Sequence, residues 1–281
     1  TNYPLSIVHH YTLGREEARD LTVVIAGASR RVLERLPDLP RRRIEDLPFV
    51  AVTLRRLLRA TGAASVVFSG MGLREGWFMS QVPPGVRALD PLLTAAQEFN
   101  ERLARDPGLA PALITWTAPL FPGETAAHRR LREAACWMSD IGTRDHPEYR
   151  AEQSVLRVLR QPGVGLGHHA RAFLALVVAF RYEAERSASY LAPIRSLLDL
   201  SATNRAEALG TVLRLACTLS AGTPRLLAET ALVRAGQRLV LRLAEGRGVY
   251  AGEGVTHRLE HLAEITGYET ALEMLPALAA S

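Results

Sequence analysis

Eight consecutive residues, 173–180, carry no polar side chain: Phe173, Leu174, Ala175, Leu176, Val177, Val178, Ala179 and Phe180. A segment that is apolar all round must be surrounded by other chain. At eight residues it is far below the roughly 20 that a membrane span requires. Together with Ala172 before it, it is the longest apolar run present, so it demands a sizeable core packed around a buried helix. The chain can supply one. Its 281 residues suit about two domains, and 48% hydrophobic with 22% charged residues exclude a disordered or fibrous polymer. Cys136 and Cys217 both fall within apolar helical patterns, which predicts small core residues in a reducing compartment rather than a disulfide framework. No charged-then-apolar leader opens the chain, so the expected location is cytoplasmic. The first residue is Thr1, directly ahead of an apolar segment, which reads as processing or truncation.

The 34 basic residues outnumber 29 acids, and all 34 are arginine. Guanidinium groups stay charged and grip phosphate oxygens with two prongs. A GC-rich genome writing arginine codons by default explains the missing lysine equally well, so the net +5 is only a leaning towards an anionic partner. No basic, aromatic-interleaved surface stands out to suggest nucleic acid.

Three regions follow from the patterning. Residues 1–90 alternate strand and helix signals. Residues 7–13 read as a strand ended by Gly14, and Glu16 and Glu17 suit the start of a helix running to Leu36, where Pro37 and Pro40 stop it. Asp46, Leu47 and Pro48 open a second helix with Val50, Leu54, Leu57 and Leu58 on one face, closed by Gly62. Residues 65–69 read as a short buried strand within an αβ layered module. Residues 91–190 are helical throughout, with an apolar stripe of Ala127, Leu131, Ala134, Ala135 and Met138. Residues 191–281 begin with helices near Leu197 and over 204–219. A half-buried strand alternates through Leu239, Leu241 and Leu243 after a hairpin turn at Ala235 and Gly236, and a last helix covers 257–265.

The strongest candidate site is Ser69-Gly70-Met71-Gly72-Leu73-Arg74-Glu75-Gly76. Glycines directly after a strand let backbone approach a ligand, amides there can cradle phosphate, and Arg74 adds a bidentate donor. The stretch lacks a P-loop's Gly-Lys-Ser/Thr ending and the full dinucleotide spacing, and a purely structural turn fits it as well. Asp140, in Ser139-Asp140-Ile141-Gly142, would belong to the metal-binding His-Asp pair of a phosphohydrolase were residue 139 histidine. Serine is a poor metal ligand, and His128, His146, His168 and His169 do not restore it, so no metal residue is assigned and Asp140 is expected to be a helix-end or hydrogen-bonding residue. His9 with His10, and His168 with His169, read as structural or solvated. Arg41, Arg42 and Arg43 read as a solvated loop that could meet a polyanion.

These stretches, in this order, resemble the exopolyphosphatase/guanosine pentaphosphatase (Ppx/GppA) family, in particular its alphaproteobacterial exopolyphosphatases. The likeness runs through Glu34-Arg35-Leu36-Pro37-Asp38-Leu39-Pro40 with the following arginines, through Val66-Val67-Phe68-Ser69-Gly70-Met71-Gly72-Leu73-Arg74-Glu75-Gly76, and through Ser139-Asp140-Ile141-Gly142. His146-Pro147-Glu148-Tyr149-Arg150 and Arg171-Ala172-Phe173-Leu174-Ala175-Leu176 continue it over nearly the whole chain.

The resemblance implies an α/β plus α architecture: over 1–90 the C-terminal part of a second actin-like (ribonuclease H-like) αβ domain, over 91–190 a degenerate HD-like helical domain, over 191–281 a small helical and α+β region. It implies hydrolysis of terminal phosphoanhydrides of inorganic polyphosphate, with guanosine pentaphosphate as a further possible substrate, Mg²⁺ as cofactor and a homodimer without membrane attachment. Arg74 matches the arginine facing the cleft, Ser69, Gly70 and Gly72 become substrate-binding positions beside it, and Glu75 supports them. The catalytic glutamate and the glycine-rich phosphate loops are expected upstream of Thr1, with the Mg²⁺ ligands outside this chain, so no catalytic residue is assigned here. The alternative is a non-catalytic module that binds polyphosphate or a guanosine polyphosphate and regulates or dimerises. A self-sufficient His-Asp hydrolase is a third reading, which Ser139 opposes. An actin-like domain lacking its first strands would leave sheet edges and apolar surface bare, so its stabilisation by the helical region, by dimerisation or by further chain is expected.

Overall fold

The computed structural model describes residues 3–36, 39–163, 165–244 and 252–275. Contacts divide the chain into two compact units, Ile7–Gln81, and Val82–Ser281 together with Thr1–Ser6. The whole is a mixed, mostly helical protein with two small sheets.

In the smaller unit, strand β1 (Thr12–Gly14) leads into helices α1 (Arg15–Gly27) and α2 (Arg30–Leu33), then α3 (Leu47–Thr61), strand β2 (Ser65–Val67) and α4 (Leu73–Gln81). The ends of the helix at 47–61 follow their sequence signals, while of its expected apolar face Leu58 is buried, Leu54 is partly buried, and Val50 and Leu57 are exposed. Pro48 occupies the first turn, and Gly62 ends the helix in the left-handed region at φ 67°, which a glycine adopts without steric cost. Three expectations need correction. The strand expected over 7–13 shortens to Thr12–Gly14, because His10 takes φ 64° and the Tyr11 amide donates back to the Val8 carbonyl, closing a turn. The single helix expected up to Leu36 breaks after Gly27, a poor helix former, where Ala28 and Ser29 are extended and α2 restarts. The stop expected at Pro37 lies outside the described residues. The strand after Ser65 is not buried. Among the described residues it pairs only with β1, antiparallel with Leu13 opposite Val66, and Val67 is 56% exposed. The core here is small: Leu13, Ala18 and Leu58 are buried, with Tyr11, Leu21, Leu54, Ala63, Val66 and Phe68 partly buried around them. Arg41–Arg43 form an exposed 3-10 turn.

The larger unit begins with α5 (Pro84–Arg87), α6 (Pro91–Leu103), α7 (Leu109–Thr117), α8 (Ala126–Trp137), α9 (Arg150–Arg160) and α10 (His168–Arg181). The apolar run forms the centre of α10, buried throughout 171–181 and packed by α8 and α9 on one side and by the long α12 (Leu200–Ser220), which follows α11 (Ala192–Arg195), on another. Arg171 is buried within this layer. Its guanidinium donates to the carbonyls of Val158, Leu159 and Gln161 at 3.1, 2.8 and 2.7 Å, closing the C-terminal end of α9, while burial pulls its pKa down. His168 and His169 form the first turn of α10 rather than preceding it. His168 Nδ1 lies 2.7 Å from the Tyr3 hydroxyl.

After α13 (Pro224–Ala228), strands β3 (Thr230–Ala235) and β4 (Arg238–Ala244) make the expected hairpin, with Ala235 opposite Arg238. Helix α14 (Glu253–Thr266) then crosses to β5 (Glu269–Leu275), which pairs parallel to β4, a strand absent from the sequence expectations. The crossover makes β4 central, so Val240 is buried with Leu239, Leu241 and Leu243 and the strand is not half-buried as its alternation predicts.

Asp90 sets the start of α6. It is the N-cap, accepting from the amides of Leu92 (2.9 Å) and Leu93 (3.2 Å), with Arg130 on its outer face. Hydrogen bonding from Arg130 holds its carboxyl below the usual range. Asp90→Ala is expected to lower unfolding free energy by about 1 kcal/mol. Asp90→Asn, which keeps the cap and loses only the charge pair, should recover most of it in urea denaturation. Equal losses in both variants would show that the cap contributes nothing.

Candidate functional site

Ser69 to Gly72 bridge β2 and α4. The chain enters through a ladder continued past the strand: the Phe68 amide donates to the Tyr11 carbonyl and the His10 amide to the Phe68 carbonyl, both at 2.8 Å. Three amides of the following loop are then engaged. The Gly70 N–H donates to His9 Nδ1 at 3.0 Å, the Met71 N–H to Ser69 Oγ at 3.0 Å, and the Gly72 N–H to Glu75 Oε2 at 2.6 Å. A Cβ on Gly70 would stand 3.3 Å from the His9 Cβ, so the close approach of these two segments needs glycine.

Glu75 is the third residue of α4, and its carboxylate reaches back over the helix start, half of a capping box. Its own backbone N–H and that of Gly72 both donate to it, which holds its carboxyl below the ordinary glutamate range. A carboxylate so committed is a weak proton acceptor at neutral pH. Arg74, one residue earlier, is exposed and makes no ion pair among the described residues. The structure therefore brings Ser69, Gly70, Gly72 and Glu75 together through a closed set of backbone bonds and leaves Arg74 as the outward-facing cation. Around it the surface is apolar: Leu73 is 92% exposed, and Trp77 and Phe78 meet edge to face on the same helix, their ring centroids 5.3 Å apart.

His9 was not legible as part of this site. It stands 61 residues from Gly70 in sequence, and only the turn at His10 aims its ring at the loop.

In the larger unit, Asp140 ends in a buried network and not at an open centre. Its carboxylate accepts from the Arg105 amide at 3.0 Å and from the Arg105 guanidinium at 3.1 and 3.2 Å, and Thr143 Oγ1 donates to it as well. The buried Arg181 guanidinium stands 3.8 Å away. Ser139 is buried beside it, its carbonyl accepting from the Tyr182 hydroxyl at 3.1 Å. Cys136 and Cys217 are free and buried, and burial pushes the Cys136 thiol up to about 12, too high for a reactive thiolate.

Together these features define a class: a mixed, mostly helical protein with small sheets, whose larger unit buries an ion-paired network around Asp140 and whose smaller unit carries an arginine-bearing loop. The exopolyphosphatase C-terminal family matches residues 92–273, nearly two thirds of the chain, and the protein belongs to that family. The matched segment lies within the larger unit, and residues 69–75 precede it. Comparison with curated proteins finds no match. No described helix is long and apolar enough to cross a membrane.

Proposed function

We propose that the chain is part of an exopolyphosphatase-type phosphohydrolase, which releases terminal phosphate from inorganic polyphosphate by attack of water on a phosphoanhydride. Its membership of the exopolyphosphatase family over 92–273 carries the reading. In that reaction the attacking water forms a new P–O bond, the bridging P–O bond breaks, and a base takes the water's proton, while positive groups steady charge on the non-bridging oxygens. Arg74 is the described residue suited to the last task, an exposed guanidinium on a helix start stiffened by Glu75. Glu75 is unsuited to be the base, because its carboxylate is tied to two backbone amides. In this reading the base comes from elsewhere in the enzyme.

The described residues do not fit a Mg²⁺ held by three such side chains as His, Cys, Asp or Glu. Among the described residues no group of three His, Cys, Asp or Glu side chains is placed to hold an ion, and the one carboxylate beside Arg74 is spent on amides. The actin-like assignment of 1–90, the HD-like assignment of 91–190, a cytoplasmic homodimer and acceptance of guanosine pentaphosphate belong to the same proposal.

A second reading, a non-catalytic polyphosphate- or guanosine-polyphosphate-binding module, is favoured by Glu75, the carboxylate beside Arg74, being committed to backbone amides rather than free to take a proton. Phosphate release from long-chain polyphosphate with Mg²⁺, measured alongside polyphosphate binding, separates the two. Arg74→Ala is expected to weaken polyphosphate binding about tenfold, the loss of one charge-assisted contact. Release by the chain alone that Arg74→Ala abolishes would establish a complete site. Binding without release supports the module or a chain that needs its enzyme's other parts, and binding indifferent to Arg74→Ala would remove Arg74 from the site.

A further inference from the structure

Where α10, α12 and α14 meet, the larger unit holds a cavity of about 340 Å³ that the polyphosphate reading does not use. Its floor is apolar, with Phe180 and Ala184. Its rim is cationic: Arg214 from α12, and His257, Arg258 and His261 from α14. The one acid between the two rim guanidiniums is Glu183, whose two carboxylate oxygens contact Arg214 and Arg258 respectively. Glu183 sits just past α10 at φ 60°, a left-handed conformation that a residue with a Cβ adopts only at a cost.

The charges do not balance. Arg186 and Glu207, also at the rim, neutralise one another at 2.5 Å, and His261 stands 3.5 Å from Glu264. That leaves one carboxylate shared by two guanidiniums, with an imidazole on each side of Arg258 along the helix face. Burial pulls Arg214 down to about 10 in spite of Glu183, and neither Arg214 Nε nor Arg258 Nε has a hydrogen-bond partner among the described residues. A lining that joins part-desolvated guanidiniums to the apolar Phe180 and Ala184 suits an anion with an apolar body, and the space exceeds what a bare oxyanion fills.

We propose that this cavity binds a small phosphate monoester, its phosphate on Arg214, Arg258 and His257 and its organic group on Phe180 and Ala184, with Glu183 as the resident carboxylate it displaces. None of its lining residues belongs to the Arg74 loop, so it is tested independently of polyphosphate hydrolysis.

Calorimetric titration of the full chain with phenyl phosphate and, separately, with inorganic phosphate tests it. Phenyl phosphate should bind saturably and about tenfold more tightly than inorganic phosphate, reflecting burial of the ring. Arg258→Ala should weaken phenyl phosphate about tenfold or more. The exposed His257→Ala, which leaves the arginine pairs intact, should weaken it severalfold, and Glu183→Gln should tighten it by freeing both guanidiniums. Thermal unfolding of each variant shows that it is folded. No saturable binding, equal affinity for inorganic phosphate, or affinity unchanged in both Arg258→Ala and His257→Ala overturns the proposal, as does binding lost on Arg74→Ala and retained on Arg258→Ala.

Discussion

Asp140→Ala is expected to cost the larger unit about 3 kcal/mol of stability, because it removes one partner from a buried charged network. Asp140 is 2% exposed and accepts from the Arg105 amide, the Arg105 guanidinium and Thr143. Arg105 is 44% exposed on its side chain and can turn to water, so little of the loss arises there. Arg181 cannot. It is buried 3.8 Å from the same carboxylate, and without it keeps a charge that burial opposes. For a unit of this size the melting temperature should fall by roughly 10 °C.

The pH dependence follows from the same contacts. Burial pushes the Asp140 carboxyl up, but hydrogen bonds from Arg105 and Thr143 outweigh it and hold the carboxyl below its usual value. A folded-state pKa below the unfolded one means that the carboxylate's contribution is complete above about pH 4 and is lost as pH falls through the folded value. The stability gap between the native chain and Asp140→Asn, measured by urea denaturation, should therefore be wide at pH 7 and narrow towards pH 3. A gap constant with pH would show that the charge contributes nothing and shape alone matters.

Gly210→Ala is expected to destabilise the chain by about 2 kcal/mol even though alanine is the better helix former by about 1 kcal/mol. Gly210 lies inside α12 where it crosses α10. A Cβ there would stand 2.6 Å from the Phe180 Cβ and 2.6 Å from the Val177 carbonyl oxygen. The second of these is backbone within a helix buried on all sides and cannot rotate away, so the two helices must separate across the centre of the core. Gly210→Val should do more damage than alanine. A melting temperature unchanged or raised by Gly210→Ala would mean that the helices separate freely and the contact is not tight in solution.

Much of the helical framework was legible because its signals are local. Asp46, Leu47, Pro48 and Gly62 bracket α3 with residues suited to helix ends, and the unbroken apolar run at 173–180 has no stable place except inside a helical core. The hairpin at Ala235 and Gly236 was legible for the same reason. The misreadings are non-local. Val66 and Val67 look like a buried strand, but a strand is buried only if the chain supplies neighbours, and among the described residues β1 is its single partner. Val240 reads as an outward position until β5 arrives in parallel and makes β4 central. Of the candidate site, the Ser69–Glu75 block and its exposed arginine were visible in the sequence. The engagement of its amides by His9 and Glu75 was not, nor was the gathering of Glu183, just past α10, with Arg214 of α12 and Arg258 of α14.

By itself the sequence determined that this chain builds a helical core around residues 173–180, that its two cysteines are core residues, and that an arginine follows a glycine-bearing loop after β2. These are properties of residue type and short-range order, fixed by burial preference and backbone freedom. Only the tertiary structure decided which charges meet: that Asp140 is consumed by Arg105, Thr143 and Arg181, that Glu75 caps a helix, and that two guanidiniums share Glu183. Ion pairing depends on distances of a few ångströms between residues tens of positions apart, and local sequence pattern carries no record of them.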